Sequence, residues 1–183
     1  YLWGVQVEQQ SSATSYIPTT GAIATRIADA ASKTGLSNYI NSTEGVMFIE
    51  MASLYSTNGY QTITISDGTS SNLIRFGFQS GTNVLFIDSS GATTPINQFN
   101  IPVTSVNMNK IALSYKLNDV KMYINGVLVR ADTSFSGFSA NTFNRIGLDN
   151  GSGSNFLLNA NVKDVRVYNT ALTDAELTTL TTL

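Results

Sequence analysis

Residues able to do chemistry are few in this chain, and the two most versatile types are missing. There is no His and no Cys among its 183 residues. A Ser-His-Asp triad, a thiol nucleophile, a thiolate metal site and a disulfide are excluded with them. So is the commonest general base near neutral pH. What remains is oxygen and amide chemistry. Asp67, Asp88, Asp149 and Asp164 are carboxylates that strands could pair, although turns and solvated faces are their ordinary places. The run Asp149-Asn150-Gly151-Ser152-Gly153-Ser154-Asn155 is rich in oxygens. Ca²⁺ takes six to eight oxygen ligands, so Asp149, Asn150 and Asn155 are the candidate ligands for it, with Asp67-Gly68 and Asp88 as weaker centres. An ordinary turn has the same composition.

Sugar recognition is the second chemistry these residue types support. It needs an aromatic face against sugar C–H groups, with amide, guanidinium or carboxylate partners for adjacent hydroxyls. Tyr55 and Tyr60 flank Asn58-Gly59, and Asn150 and Asn155 punctuate the polar loop. Arg75 falls on the face opposite Ile74, Phe76 and Phe78. Phe135 and Phe138, within Ser134–Ser139, are further aromatic candidates. Burial in the core is the competing reading for each aromatic. Trp3, the one Trp, is read as a packing or interface anchor.

The elements that must position these groups are mostly strands. Val46–Met51, Tyr60–Ile65, Leu73–Phe78 and Val84–Ile87 show apolar runs or period-two alternation. A loop holding Pro95 and Pro102 follows. Ile111, Leu113 and Tyr115 form the next apolar face, and Val120, Met122 and Ile124 another. Asn125-Gly126 before Val127-Leu128-Val129 predicts a type I′ hairpin, since that pair tolerates the two positive φ angles required. Arg145–Leu148 and Asn161–Tyr168 read as the last strands, and Asn38–Thr43 as a short helix or a loop. One helix is well signalled, over Thr173–Leu180. Thr173 and Glu176 have capping-box spacing, and Ala175, Leu177 and Leu180 make an apolar stripe. Many short strands with one late helix predict an antiparallel sandwich or jelly roll.

Composition agrees. Hydrophobic residues are 42% of the chain, enough for a core, while charged residues are only 12%, about half the usual share. Ser, Thr and Asn together make up a third of it, so the surface is neutral and polar. The net charge of −2 gives no electrostatic handle on nucleic acid. No apolar run approaches the roughly 18 residues of a membrane span. The missing Cys is compatible with life outside the cell, because a chain this long can bury enough surface without disulfides. The opening YLWGVQVEQQ has no start Met, and the chain is read as a fragment of something longer.

Two segments resemble a known family. Lys110–Val129, with its Tyr123-Ile124-Asn125-Gly126 turn, is similar to the central hairpin of laminin-G-like, concanavalin A-like jelly rolls. Asn161–Leu180 resembles the family's closing signature, in Asp164-Val165-Arg166-Val167-Tyr168 followed by Ala171-Leu172-Thr173-Asp174-Ala175-Glu176-Leu177. Asn161 stands where that family often has Gly. The resemblance spans about residues 40–183. It implies an all-β antiparallel sandwich with one short C-terminal helix, a fold that hosts lectins, adhesion modules, lyases and hydrolases. Glycosidases of the fold often carry Glu-x-Asp-x-x-Glu on one strand. Here Glu50 is followed by Ala52 and Tyr55, so that motif is absent, and the His of the fold's lyases is absent too.

Leu2–Asp29 resembles a segment of bacteriophage tail and fibre proteins, through Gly4, Gln6, Glu8, Ser15–Thr19, Arg26 and Asp29. Pro18 keeps Ile17 extended and cannot donate to a ladder, which suits an arm. The expected organisation is an extended arm or the end of a preceding module over residues 1–28 and a laminin-G-like sandwich over residues 29–183. The expected function is non-catalytic recognition of a host-surface glycan by a virion tail or extracellular protein, with Ca²⁺ as the candidate cofactor. The alternatives are a structural module and a carbohydrate-binding module of a secreted bacterial protein. The arm is expected to join the domain to other virion subunits and to copies of itself, as a trimer if it follows fibre habit.

Overall fold

Alternation of apolar and polar residues produces strands, and burial of the apolar face pairs the sheets they form. The computed structural model describes residues 21, 31–53, 60–79, 84–97, 99–104, 107–153 and 155–183. Apart from Gly21, the proposed arm, with Trp3, lies outside the described residues. Eleven strands and one helix are described: β1 Ser32–Lys33, β2 Glu44–Ser53, β3 Gln61–Ser66, β4 Leu73–Phe78, β5 Val84–Ser90, β6 Phe99–Pro102, β7 Asn109–Lys116, β8 Asp119–Ile124, β9 Val127–Asp132, β10 Arg145–Gly147, β11 Ala160–Tyr168 and α1 Asp174–Thr181.

One sheet has six strands in the order β1-β10-β3-β4-β5-β6, and the other has five in the order β11-β2-β7-β8-β9. Every pairing is antiparallel. This is the expected all-β sandwich with a single C-terminal helix. Met47, Ile49 and Met51 of β2 meet Ile63, Ile65, Ile74 and Phe76 of the facing sheet in one continuous core. Each such side chain contributes roughly 1.5–3 kcal/mol by leaving water. Phe135 belongs to this core, fully buried, and Phe138 packs beside it with its ring centroid 4.6 Å from that of Phe143. Phe135 thus takes the core reading, and Phe138 is partly buried against it.

Local signals are realised closely. Asn125 and Gly126 have φ of 50° and 82°, the two positive angles of the predicted hairpin turn. Thr173 caps α1, accepting from Glu176 N, while the Glu176 carboxylate accepts from Thr173 N at 2.8 Å. Asn38–Thr43 is a turn and loop with no helix. Strand β6 is a departure, because Pro102 lies at its end where a loop was expected. It is an edge strand bonded to β5 alone, so the missing Pro N–H can face away from the ladder.

The helix decides which outer face is available. Val46, Phe48, Ala112 and Tyr123 on the outside of the five-stranded sheet form a second apolar cluster with Leu177 of α1. That face is closed. Among the described residues, no helix lies over the outside of the six-stranded sheet.

Candidate functional site

On β3, residues 62, 64 and 66 turn outward while Ile63 and Ile65 turn into the core. All three carry hydroxyls, and all three donate to main-chain oxygens of the segment after β10. Thr62 Oγ1 donates to Asp149 O at 2.6 Å, Thr64 Oγ1 to the same oxygen at 2.5 Å, and Ser66 Oγ to Gly151 O at 2.9 Å. Thr62 N donates to Phe156 O at 3.0 Å. Asp149, Gly151 and Phe156 are thereby strapped across part of the outer face.

The strap is locked by charge. Arg145, Gly147 and Asp149 share one face by strand alternation. The two charged side chains form a buried bidentate pair, with Nη1 donating to Oδ1 at 2.9 Å and Nη2 donating to Oδ2. Gly147 is required between them, since a Cβ there would sit 2.7 Å from Asp149 Oδ2 and closer still to the Arg145 guanidinium. Asp149 Oδ1 also accepts from Gly151 N at 2.7 Å and Gly153 N at 3.2 Å. Burial by itself would raise the Asp149 carboxyl, but Arg145 and the Gly151 N–H outweigh it and hold it below the usual carboxylate range.

Beside the strap the outer sheet face carries an aromatic and charged cluster, over which no helix lies among the described residues. Tyr60 and Phe86 meet edge to face with centroids 5.0 Å apart, and Tyr60 lies 5.2 Å from Phe156. The Arg75 guanidinium carbon is 5.9 Å from the Phe86 ring centre and 5.6 Å from that of Phe156. Arg75 and Asp88 are opposite one another in register on β4 and β5. They pair bidentately, Nε to Oδ1 at 2.7 Å and Nη2 to Oδ2 at 2.9 Å. Phe86 is buried beneath the cluster, while Phe156 is 37% exposed. Phe156 has φ of 56°, a left-handed backbone that an aromatic residue rarely takes. A ring presented to solvent from a strained backbone points to use rather than packing. This arrangement can stack on an apolar sugar face and hydrogen-bond hydroxyls at its edge.

A family model described as the concanavalin A-like lectin/glucanases superfamily matches residues 48–178, from β2 through α1. The chain belongs to that superfamily. No curated protein matches it in sequence. Among solved structures of the fold, the Ruminococcus gnavus IT-sialidase CBM40 bound to α2,3-sialyllactose aligns with a TM-score of 0.63 at 15% identity, over 76% of this chain and 83% of that one. Domain 4 of AbnA, a GH43 extracellular arabinanase from Geobacillus stearothermophilus, in complex with arabinotriose, aligns at 0.55 with 18% identity, over 79% and 69%. The NanB sialidase of Streptococcus pneumoniae aligns at 0.64 with 14% identity, over 81% of this chain but 26% of that much longer one. At these identities the likeness establishes a shared fold.

Within this concanavalin A-like sandwich the sequence candidates separate. Tyr60 and Arg75 come together in the cluster. Tyr55 and Asn58 lie outside the described residues. Asn150 and Asn155 sit in the strap, where Asn150 N donates to Asn155 O at 2.9 Å and Asn150 Oδ1 accepts from Ser152 Oγ at 2.9 Å. Asn155 directly precedes Phe156, at the border of the open face.

The calcium expectation meets a different chemistry. Asp149 is fully buried and both its oxygens already accept from Arg145, so this carboxylate does not fit a Ca²⁺ ligand. Asp67 accepts from Thr69 N, Thr69 Oγ1 and Asn72 Nδ2 and shapes its own turn. Asp88 is held by Arg75. Among the described residues no three His, Cys, Asp or Glu side chains gather as a metal site. Glu50 is buried and accepts from Lys163 Nζ at 2.8 Å, with no second carboxylate at position 52.

Phe86 and Phe156 were not read from the sequence as ligand-facing residues. For Phe86 the only signal was its opposite phase to Leu85 and Ile87 on β5. Phe156 follows a Gly/Ser tract without periodicity, and nothing local marks it.

Proposed function

We propose that this chain is a non-catalytic glycan-binding module using the open face of the six-stranded sheet. The observation that carries the reading is the cluster of Tyr60, Phe86 and Phe156 around the Arg75–Asp88 pair, on the sheet face opposite the one that α1 packs against. The CBM40 bound to sialyllactose and the arabinanase domain bound to arabinotriose support it as sugar-bound domains of the same fold. An array of immobilised oligosaccharides tests it directly. Wild-type protein is expected to be retained by at least one sugar, and Phe156→Ala to lose about tenfold or more of that retention, in line with a stacked aromatic anchor. Equal retention of the variant would remove the face from consideration.

Two settings fit such a module. The likeness to sialidase and arabinanase domains favours a carbohydrate-binding module of a secreted bacterial protein. The resemblance of residues 2–29 to phage tail segments favours a virion protein that reads a host-surface glycan, located in the tail or outside the cell. No helix among the described residues is long and apolar enough to cross a membrane. The second setting gives the arm a role in assembly. Light scattering on chains with and without residues 1–28 is expected to show an oligomer, a trimer if it follows fibre habit, that becomes a monomer on removal. A full chain that is already monomeric would sink the assembly role.

A further inference from the structure

Strands β3, β4, β5, β6 and β10 carry just two cations, Arg75 and Arg145, in their sequence. Arg145 is sealed under the strap by Asp149. Arg75 meets the open face, but it does so already bound, fork to fork, to Asp88. Both side chains are about four-fifths removed from solvent, at 21% and 17% exposure. In such a setting charges are weakly screened and a like charge brought close is strongly disfavoured. A sugar carboxylate docking here would approach Asp88 and find no unpaired cation on these strands. A neutral sugar meets no such obstacle. One hydroxyl can donate to an Asp88 oxygen while its neighbour accepts from an Arg75 N–H, and the ring stacks on Phe156.

We infer that the site selects neutral sugars bearing adjacent hydroxyls and rejects sialylated or uronic-acid glycans, with Asp88 as the residue that decides. This rests on the open sheet face being the binding site. It distinguishes the chain from the sialyllactose-bound CBM40 whose fold it shares.

The test uses matched probes: lactose against α2,3-sialyllactose, and arabinotriose and cellotriose against trigalacturonate. Wild-type protein is expected to retain at least one neutral probe and to bind each acidic counterpart tenfold or more weakly. Asp88→Asn keeps the shape, removes the negative charge and frees Arg75. It is expected to lose about tenfold on the neutral probe and gain about tenfold on an acidic one. Asp88→Glu keeps the charge and is expected to keep the neutral preference. Melting curves establish that each variant is folded. An acidic preference in the wild type, or an Asp88→Asn variant with unchanged selectivity, overturns the inference while leaving the face intact if Phe156→Ala still abolishes retention. Failure of every probe to bind, or binding indifferent to Phe156→Ala, overturns the site and the selectivity together.

Discussion

Replacing Asp149 with alanine is expected to destabilise the fold by about 3–5 kcal/mol, the range for breaking one side of a buried ion pair. Arg145 would be left 5% exposed with its charge uncompensated, its remaining partner among the described residues being the Gly151 carbonyl at 3.0 Å. The Gly151 and Gly153 N–H groups would lose their acceptor as well. Because the strap carries Phe156, sugar retention should fall with stability. Urea unfolding of Asp149→Ala against wild type measures the first effect. A loss below about 1 kcal/mol would mean the pair is dispensable. The same carboxylate gives a pH dependence. Its folded value lies below the ordinary aspartate value of about 3.9. Its contribution is therefore complete above about pH 5 and is lost as pH falls through 3.9 toward the folded value. Asp149→Asn should flatten that part of the acid limb of the stability profile.

Glycine at position 156 is expected to abolish sugar retention, by tenfold or more, while leaving stability within about 1 kcal/mol of wild type. The two effects part because Phe156 is held at φ of 56°. That region costs an ordinary L-residue roughly 1–2 kcal/mol and costs glycine nothing. Against this relief stand glycine's greater freedom in the unfolded chain, worth roughly 0.5–1 kcal/mol, and the lost contacts with Tyr60 and Arg75. Near-cancellation is the signature of a residue kept for a ligand. A loss of several kcal/mol in urea unfolding would instead make Phe156 part of the core and remove the platform. Calorimetric titration with whichever neutral sugar is retained reads the binding side.

Both expectations depend on contacts between distant parts of the chain, and that separates what was legible from what was not. Alternation and capping involve neighbours within a few residues. The type I′ turn at Asn125-Gly126, the Thr173 capping box and the outward placement of Arg75 between Ile74 and Phe76 could therefore be read directly. The same logic reached the sandwich itself, since strands with one apolar face must bury it against another sheet. The spacing Arg145-x-Gly147-x-Asp149 was open to the same reading. Alternation puts all three on one face, and the Gly makes room for an ion pair.

The Asp149 loop shows where composition stops. Composition marks a carboxylate as available, whereas burial and the partner decide whether it is. Strand β6 escaped notice because an edge strand with Pro forms only where a neighbour, here β5, offers a ladder. Phe156 is the extreme case. Thr62, Thr64 and Ser66, which hold the strap in place, lie 85 to 94 residues before the carbonyls they bind. Period and propensity, being local, determined the sandwich, the turn and the cap. Which aromatic faces solvent, which carboxylate is sealed and which sheet face stays open were decided only by tertiary structure, because each depends on where long-range hydrogen bonds and the closing helix leave a side chain.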